Sequence, residues 1–169
     1  MNSGFTKMLF TIVMAAALVL SLGWGAAADS SHHRDEIVGT WQVTVQLNNC
    51  SGSTVGGPFH SLLTFADGET MIEDTTNPAF ALGQRGTGHG VWEYQGHHAY
   101  AVKSIAFISS SASSPLPPGF FPGTQTITQS IDFNNGPDTW TAKATIAFAD
   151  MSNSVYRHGC ATATATRFE

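Results

Sequence analysis

Between residues 38 and 168 apolar and polar side chains alternate with period two, and no stretch carries the 3.6-residue stripe of an amphipathic helix. Trp41-Gln42-Val43-Thr44-Val45-Gln46-Leu47 shows the alternation near the start of this region, and Ala161-Thr162-Ala163-Thr164-Ala165-Thr166-Arg167 shows it at the end. A strand with this pattern buries one face and wets the other. Turn signals cut the region into eight strands, at 38–49, 58–66, 69–76, 89–95, 98–109, 124–134, 139–149 and 155–168. Asp67-Gly68 and Gln95-Gly96 are tight reversals, and Asn134-Asn135-Gly136-Pro137 ends any strand. Evenly spaced strands joined by turns predict an all-β chain, an eight-stranded antiparallel up-and-down barrel.

Connection lengths give the barrel two different ends. The first, third and fifth connections are long (50–57, 77–88 and 110–123), whereas the second, fourth and sixth are short turns. Successive connections of an up-and-down barrel fall at opposite ends, so the long loops form one mouth and the short turns one floor. The seventh connection, near 151–154, is short and leaves one low edge at the mouth.

Ahead of the barrel, Lys7 precedes an uncharged run from Met8 to Leu22. The run is followed by Gly25-Ala26-Ala27-Ala28 and then Asp29. A cationic start, a short apolar core and small residues at the exit predict a cleaved signal peptide over 1–28. The run is too short for a membrane anchor, which takes ~20 apolar residues. A flexible segment is then expected over 29–36 and the barrel domain over 37–169, with no transmembrane segment in the mature chain. The expected location is secreted or periplasmic. Outside the cytoplasm two cysteines favour one disulfide, Cys50 to Cys160.

Register supports that pairing. The first and last of eight strands run antiparallel, so directly opposed residues share a constant index sum. Cys50 with Cys160 gives 210 and Trp41 with Arg167 gives 208, one diagonal step apart on the same pleat. One register therefore places the disulfide at the mouth on the outer face, and Trp41 against Arg167 on the inner face at the floor.

Gly39-Thr40-Trp41 at the start of the first strand, with Arg167 near the end of the last, resembles the calycin signature of lipocalins and their small bacterial relatives. The resemblance implies that Trp41 plugs the closed end while Arg167 packs across its face. The chain departs from lipocalins in ending at the eighth strand and in having no Thr-Asp-Tyr motif. Avidin-like barrels are equally similar, although no biotin-binding set is present, and so are barrels of the allene-oxide-cyclase type, some of which are enzymes.

Composition narrows the function. Charged residues make up 11% of the 169, against roughly 25% in an ordinary soluble domain. Seven Lys plus Arg cannot form the basic stripe that nucleic acid requires. With 42% hydrophobic residues and a net charge of -5, charge-driven disorder is excluded too. Nineteen threonines replace the missing charge, as on the outward pleat of the last strand.

The inward pleat carries five alanines on the last two strands: Ala142, Ala144, Ala161, Ala163 and Ala165. They either leave a ligand cavity or offset the bulk of Trp92, Tyr94 and Tyr100, since an eight-stranded barrel can fill itself or hold one small ligand. The mouth loops are apolar, with Phe80 in Pro78-Ala79-Phe80-Ala81-Leu82 and Phe120 and Phe121 in the segment from Pro115 to Pro122. These form either a preorganised lip or a cap. Arg85 and His89, in a glycine-rich loop end, would bring a cation and an imidazole to the rim, suited to a carboxylate or phosphate head group.

Catalytic patterns are thin. There is no Gly-x-Ser-x-Gly or His-Glu-x-x-His motif, and Glu93 and Asp132 fall on outward pleats. His32-His33 and His97-His98 do not make chelates, because neighbouring strand residues point to opposite faces. No catalytic residue, metal site or cofactor is predicted. The expectation is a binding protein for a small, mostly apolar molecule held in the barrel cavity. Its contact residues would be Arg85, His89, Trp92, Tyr94, Tyr100, Trp140, Phe148, Phe80, Phe120 and Phe121. The alternatives are a barrel enzyme of isomerase or cyclase type, and an interaction or inhibitor module that binds a protein partner through the mouth loops.

Overall fold

A computed structural model describes residues 35–134 and 136–168; the predicted signal peptide and the segment 29–34 lie outside the described residues. Eight strands run β1 Gly39–Asn48, β2 Phe59–Ala66, β3 Thr70–Thr75, β4 Gly88–Gly96, β5 Ala99–Ile108, β6 Gly123–Asp132, β7 Thr139–Asp150 and β8 Val155–Arg167. Each pairs antiparallel with its sequence neighbour, and β8 returns to β1 to close the barrel. The all-β up-and-down architecture follows the alternation strand by strand.

The closing seam has the expected register: Trp41 stands opposite Arg167 and Asn48 opposite Cys160. Cys50 thus sits one diagonal step from Cys160, and the two form a disulfide with Cα atoms 5.0 Å apart. That bridge spans 110 residues of chain and ties the first mouth loop to β8. Among the described residues no helix is long and apolar enough to cross a membrane.

The interior has three layers. At the floor Trp41, Trp92, Tyr100, Phe133 and Trp140 pack together with Ile131 and Val102. Trp41 meets Phe133 edge-on at 5.4 Å and Trp140 at 5.9 Å, spacings at which ring quadrupoles attract. Above them lies a polar layer, described below, and near the mouth Ile108, Ile146, Phe148 and Ala161 form a second apolar cluster with Phe80 and Phe120. The five alanines therefore divide between the two expected roles. Ala142, Ala163 and Ala165 belong to the floor cluster, where their small size admits the tryptophans. Ala144 and Ala161 pack with the upper cluster and line open space.

A short 3-10 turn, Asp35–Ile37, plugs the floor from below. Ile37 is fully buried and its carbonyl accepts a hydrogen bond from Trp41 Nε1 at 2.8 Å. His98 Nδ1 lies 2.7 Å from Glu36 Oε2. Asp35 and Glu36, expected within the flexible segment 29–36, are thus part of the folded base. Burial, reinforced by the charge of Glu36, pushes the Tyr100 hydroxyl well above the ordinary phenol range.

The outer wall is clad in threonine on β6, β7 and β8, as composition suggests, but not all round. Leu62, Ile72, Val91, Ile105 and Phe107 are exposed on β2 to β5, so the apolar fraction of this chain is spent partly on its surface.

Candidate functional site

Of the candidate residues, Trp92, Tyr94, Tyr100 and Trp140 point inward as their parity predicts, but they lie in the packed floor. Trp92 and Tyr100 meet at 5.9 Å and Tyr94 and Tyr100 at 5.3 Å, and Trp92, Tyr100 and Trp140 are buried. Strand position sets this depth: Trp140 pairs with Ala165 near the closed end. These four rings build the base and do not line the open space above it.

The second layer is polar. Met71 and Glu73 face inward on β3, and Glu73 is buried. Arg85 Nη2 donates to Glu73 Oε1 at 2.7 Å, with both side chains almost wholly enclosed. Ser104 Oγ donates to Glu73 Oε2 at 2.9 Å, Arg85 Nη1 to the Gly86 carbonyl at 3.1 Å, and Arg85 Nε to Gln125 Oε1. Gly88, opposite Glu73 in the ladder, makes room: a Cβ there would lie 3.2 Å from Glu73 Oε2 and 3.5 Å from Arg85 Nη2. Each oxygen of Glu73 accepts a hydrogen bond and each nitrogen of Arg85 donates one, and such bonds help a buried pair to offset its desolvation.

Arg85 and His89 are therefore not a rim pair. Arg85 turns into the barrel and is held by Glu73, whereas His89 lies on the outward pleat of β4 and is exposed. The parity that turns Trp92 inward turns His89 outward, a signal already present in the sequence.

Open space divides at this polar layer. Beneath the mouth, between Val43, Ser61, Glu73, Gln129 and Ala163, the shaft leaves a cavity of only about 50 Å3. At the mouth a cavity of about 510 Å3 lies between Leu47, Val55, Phe80, Phe120, Ile146 and Phe148, with Asn48, Asn77, Gln125 and Arg157 among its polar contacts. Leu47, Asn77, Gln125 and Ile146 line both. The shaft volume suits a water or two, and the mouth volume lies within the range of small-molecule sites.

Three rings from three parts of the chain shape the mouth. Phe80 meets Phe120 edge-on at 5.0 Å, and Phe120 meets Phe148 at the same distance. The second and third mouth loops are locked together by the buried Gln84: its Nε2 donates to the Pro115 carbonyl at 2.8 Å, and its Oε1 accepts from Ala81 N at 2.8 Å. Phe121 faces away from this triad, half exposed, and stacks edge-on against Tyr156. Leu82 is fully exposed.

Arg157 is the mouth cation that loop composition does not reveal. It stands opposite Phe148 in the ladder, with its guanidinium 4.3 Å from the centre of the Phe120 ring. Among the described residues no cluster of His, Cys, Asp and Glu could hold a metal, and none of the cysteines is free. The chain matches no protein-family model, no curated protein and no solved structure.

Proposed function

We propose that this is an exported binding protein that takes a small, mostly apolar molecule at the barrel mouth rather than deep in the shaft. The observation carrying the reading is the cavity of about 510 Å3 walled by Phe80, Phe120 and Phe148, set above a shaft with about 50 Å3 free. The lock between the two loops at Gln84 supports a preformed site, because walls fixed before binding cost little ordering entropy. The predicted signal peptide and the disulfide support export.

A barrel enzyme has one observation in its favour, the buried carboxylate of Glu73. Against it, Glu73 is already neutralised by Arg85 and adjoins space too small for a substrate. The exposed Leu82 and Phe121 are what a protein-binding module would use.

The test is a fluorescence titration with the neutral apolar probe N-phenylnaphthylamine. Saturable one-to-one binding that weakens on Phe120→Ala and on Phe80→Ala supports the mouth site. Absence of binding, or binding indifferent to both substitutions, rejects it.

A further inference from the structure

We infer that the mouth selects amphipathic organic anions, an apolar body carrying one oxyanion head, and that Arg157 is the residue that recognises the head. This rests on the mouth being the ligand site, and adds the chemical class of the ligand.

Most of the Lys and Arg side chains among the described residues are committed or placed elsewhere. Arg85 is committed to Glu73 inside the barrel. Arg167 is committed to Asp138 and to three backbone carbonyls at the floor. Lys103 and Lys143 are exposed on the outer wall. Of the Lys and Arg among the described residues Arg157 remains, and no carboxylate among those residues pairs with it, in a chain whose twelve Asp plus Glu outnumber its seven Lys plus Arg. The nearby Asp150 is turned into its own hairpin, where Oδ1 accepts from Ser152 N at 2.9 Å and Ser154 N at 3.0 Å. Among the described residues no carboxylate lines the mouth cavity; its other polar neighbours are the amides of Asn48, Asn49, Asn77 and Gln125 and the imidazole of His158, which lies on the pleat of β8 opposite to that of Arg157.

Arg157 is also held in place. Its guanidinium carbon lies 4.3 Å over the ring of Phe120, which is wedged against Phe80 and Phe148. The loop carrying Phe120 is fixed to β8 beside Arg157, since Phe121 N donates to Tyr156 Oη at 3.1 Å. A stacked guanidinium keeps its N–H donors in the plane of the ring face and available at its edge. A carboxylate, sulfonate or phosphate head can accept two of them at once, while the apolar body lies on the aromatic walls. An unpaired fixed cation beside an apolar cavity is charge-complementary to such a molecule and to neither a neutral hydrocarbon nor a cation.

Two probes that differ only in the head test this: anilinonaphthalene sulfonate, and N-phenylnaphthylamine, which lacks the sulfonate. The folded protein should bind the sulfonate at least about tenfold more tightly, the scale of one charge-assisted hydrogen bond. Arg157→Gln should abolish that preference, bringing the two affinities together, while the neutral probe still binds saturably and one-to-one, which reports an intact site. Lys143→Gln, removing one cation from the outer wall, should retain the preference. Equal affinities in the unmodified protein, a preference that survives Arg157→Gln, or one lost equally in Lys143→Gln would overturn the assignment of Arg157 while leaving a mouth site intact. Failure of both probes to bind would overturn the mouth site together with the assignment.

Discussion

The guanidinium of Arg167 occupies the place where a side chain on Gly39 would begin: an ideal Cβ there lies 2.8 Å from Arg167 Nη1, with φ at 132°. Arg167 can then lie 4.3 Å over the Trp41 ring and donate to the carbonyls of Val38 at 2.9 Å and Glu36 at 2.8 Å. The glycine two residues before the tryptophan thus has a steric cause. It clears the space in which the last strand clasps the first.

Gly39→Ala should accordingly cost more than a glycine substitution of similar backbone strain in open space. Gly52 is such a control, with φ at 102° and no atom near its Cβ position. Denaturant unfolding should show a loss of about 2–4 kcal/mol for Gly39→Ala and about 1 kcal/mol for Gly52→Ala. Equal losses would mean that Arg167 moves aside freely.

The buried pair Glu73–Arg85 makes a non-additive prediction. Glu73→Leu alone leaves a guanidinium enclosed without its partner, and Arg85→Met alone leaves a carboxylate; each should cost roughly 3–5 kcal/mol. The double substitution should cost less than either single one, read from the same unfolding curves. A double variant destabilised by the sum would show that the two residues act independently.

The disulfide closes a long loop, which in the chain-entropy description stabilises by about 4–5 kcal/mol. Replacing Cys50 and Cys160 together by Ala should lower the unfolding free energy by an amount on that scale. Thiol labelling of the unfolded, unreduced protein should find no reactive cysteine; two would contradict the pairing.

Asp150 gives a pH signature. Hydrogen bonds from Ser152 and Ser154 favour its charged form and hold the carboxyl below the ordinary aspartate value. A depressed folded-state pKa contributes stability above the unfolded value, near ~3.9, and loses it as pH falls through the folded value. Carbon-detected NMR should place the Asp150 carboxyl midpoint below that of an unfolded reference peptide, and Ser152→Ala should raise it. A midpoint at or above the reference would remove the role given to the turn.

The strands, the closing register and the mouth-and-floor polarity were legible because each depends on spacing along the chain. Period two set the faces of β1 and β8, and the index sums of Trp41–Arg167 and Cys50–Cys160 set the seam. Depth was harder. Trp92, Tyr100 and Trp140 were expected at a ligand site because they face inward, yet facing inward does not say how far from the mouth a residue lies. The polar layer follows from the pattern only when the inward parity of Met71 is extended by one step to Glu73. Arg157 shares the odd-numbered pleat of Ala161, Ala163, Ala165 and Arg167, so its facing was also legible. What no pattern along the chain conveys is which cation finds a carboxylate across the barrel. Arg85 does, Arg157 does not, and that difference moves the candidate head-group site from one loop to another strand.

The ligand site proposed for this chain is the mouth and not the shaft. Methyl-resolved NMR during titration with N-phenylnaphthylamine tests this directly. The predicted result is that the resonances of Val55, which lines the mouth cavity and not the shaft, shift saturably while those of Val43, Leu63 and Ile127, which line the shaft and not the mouth, stay in place. Shifts centred on Val43, Leu63 and Ile127, or on the outer-wall residues Ile72, Val91 and Ile105, would contradict it.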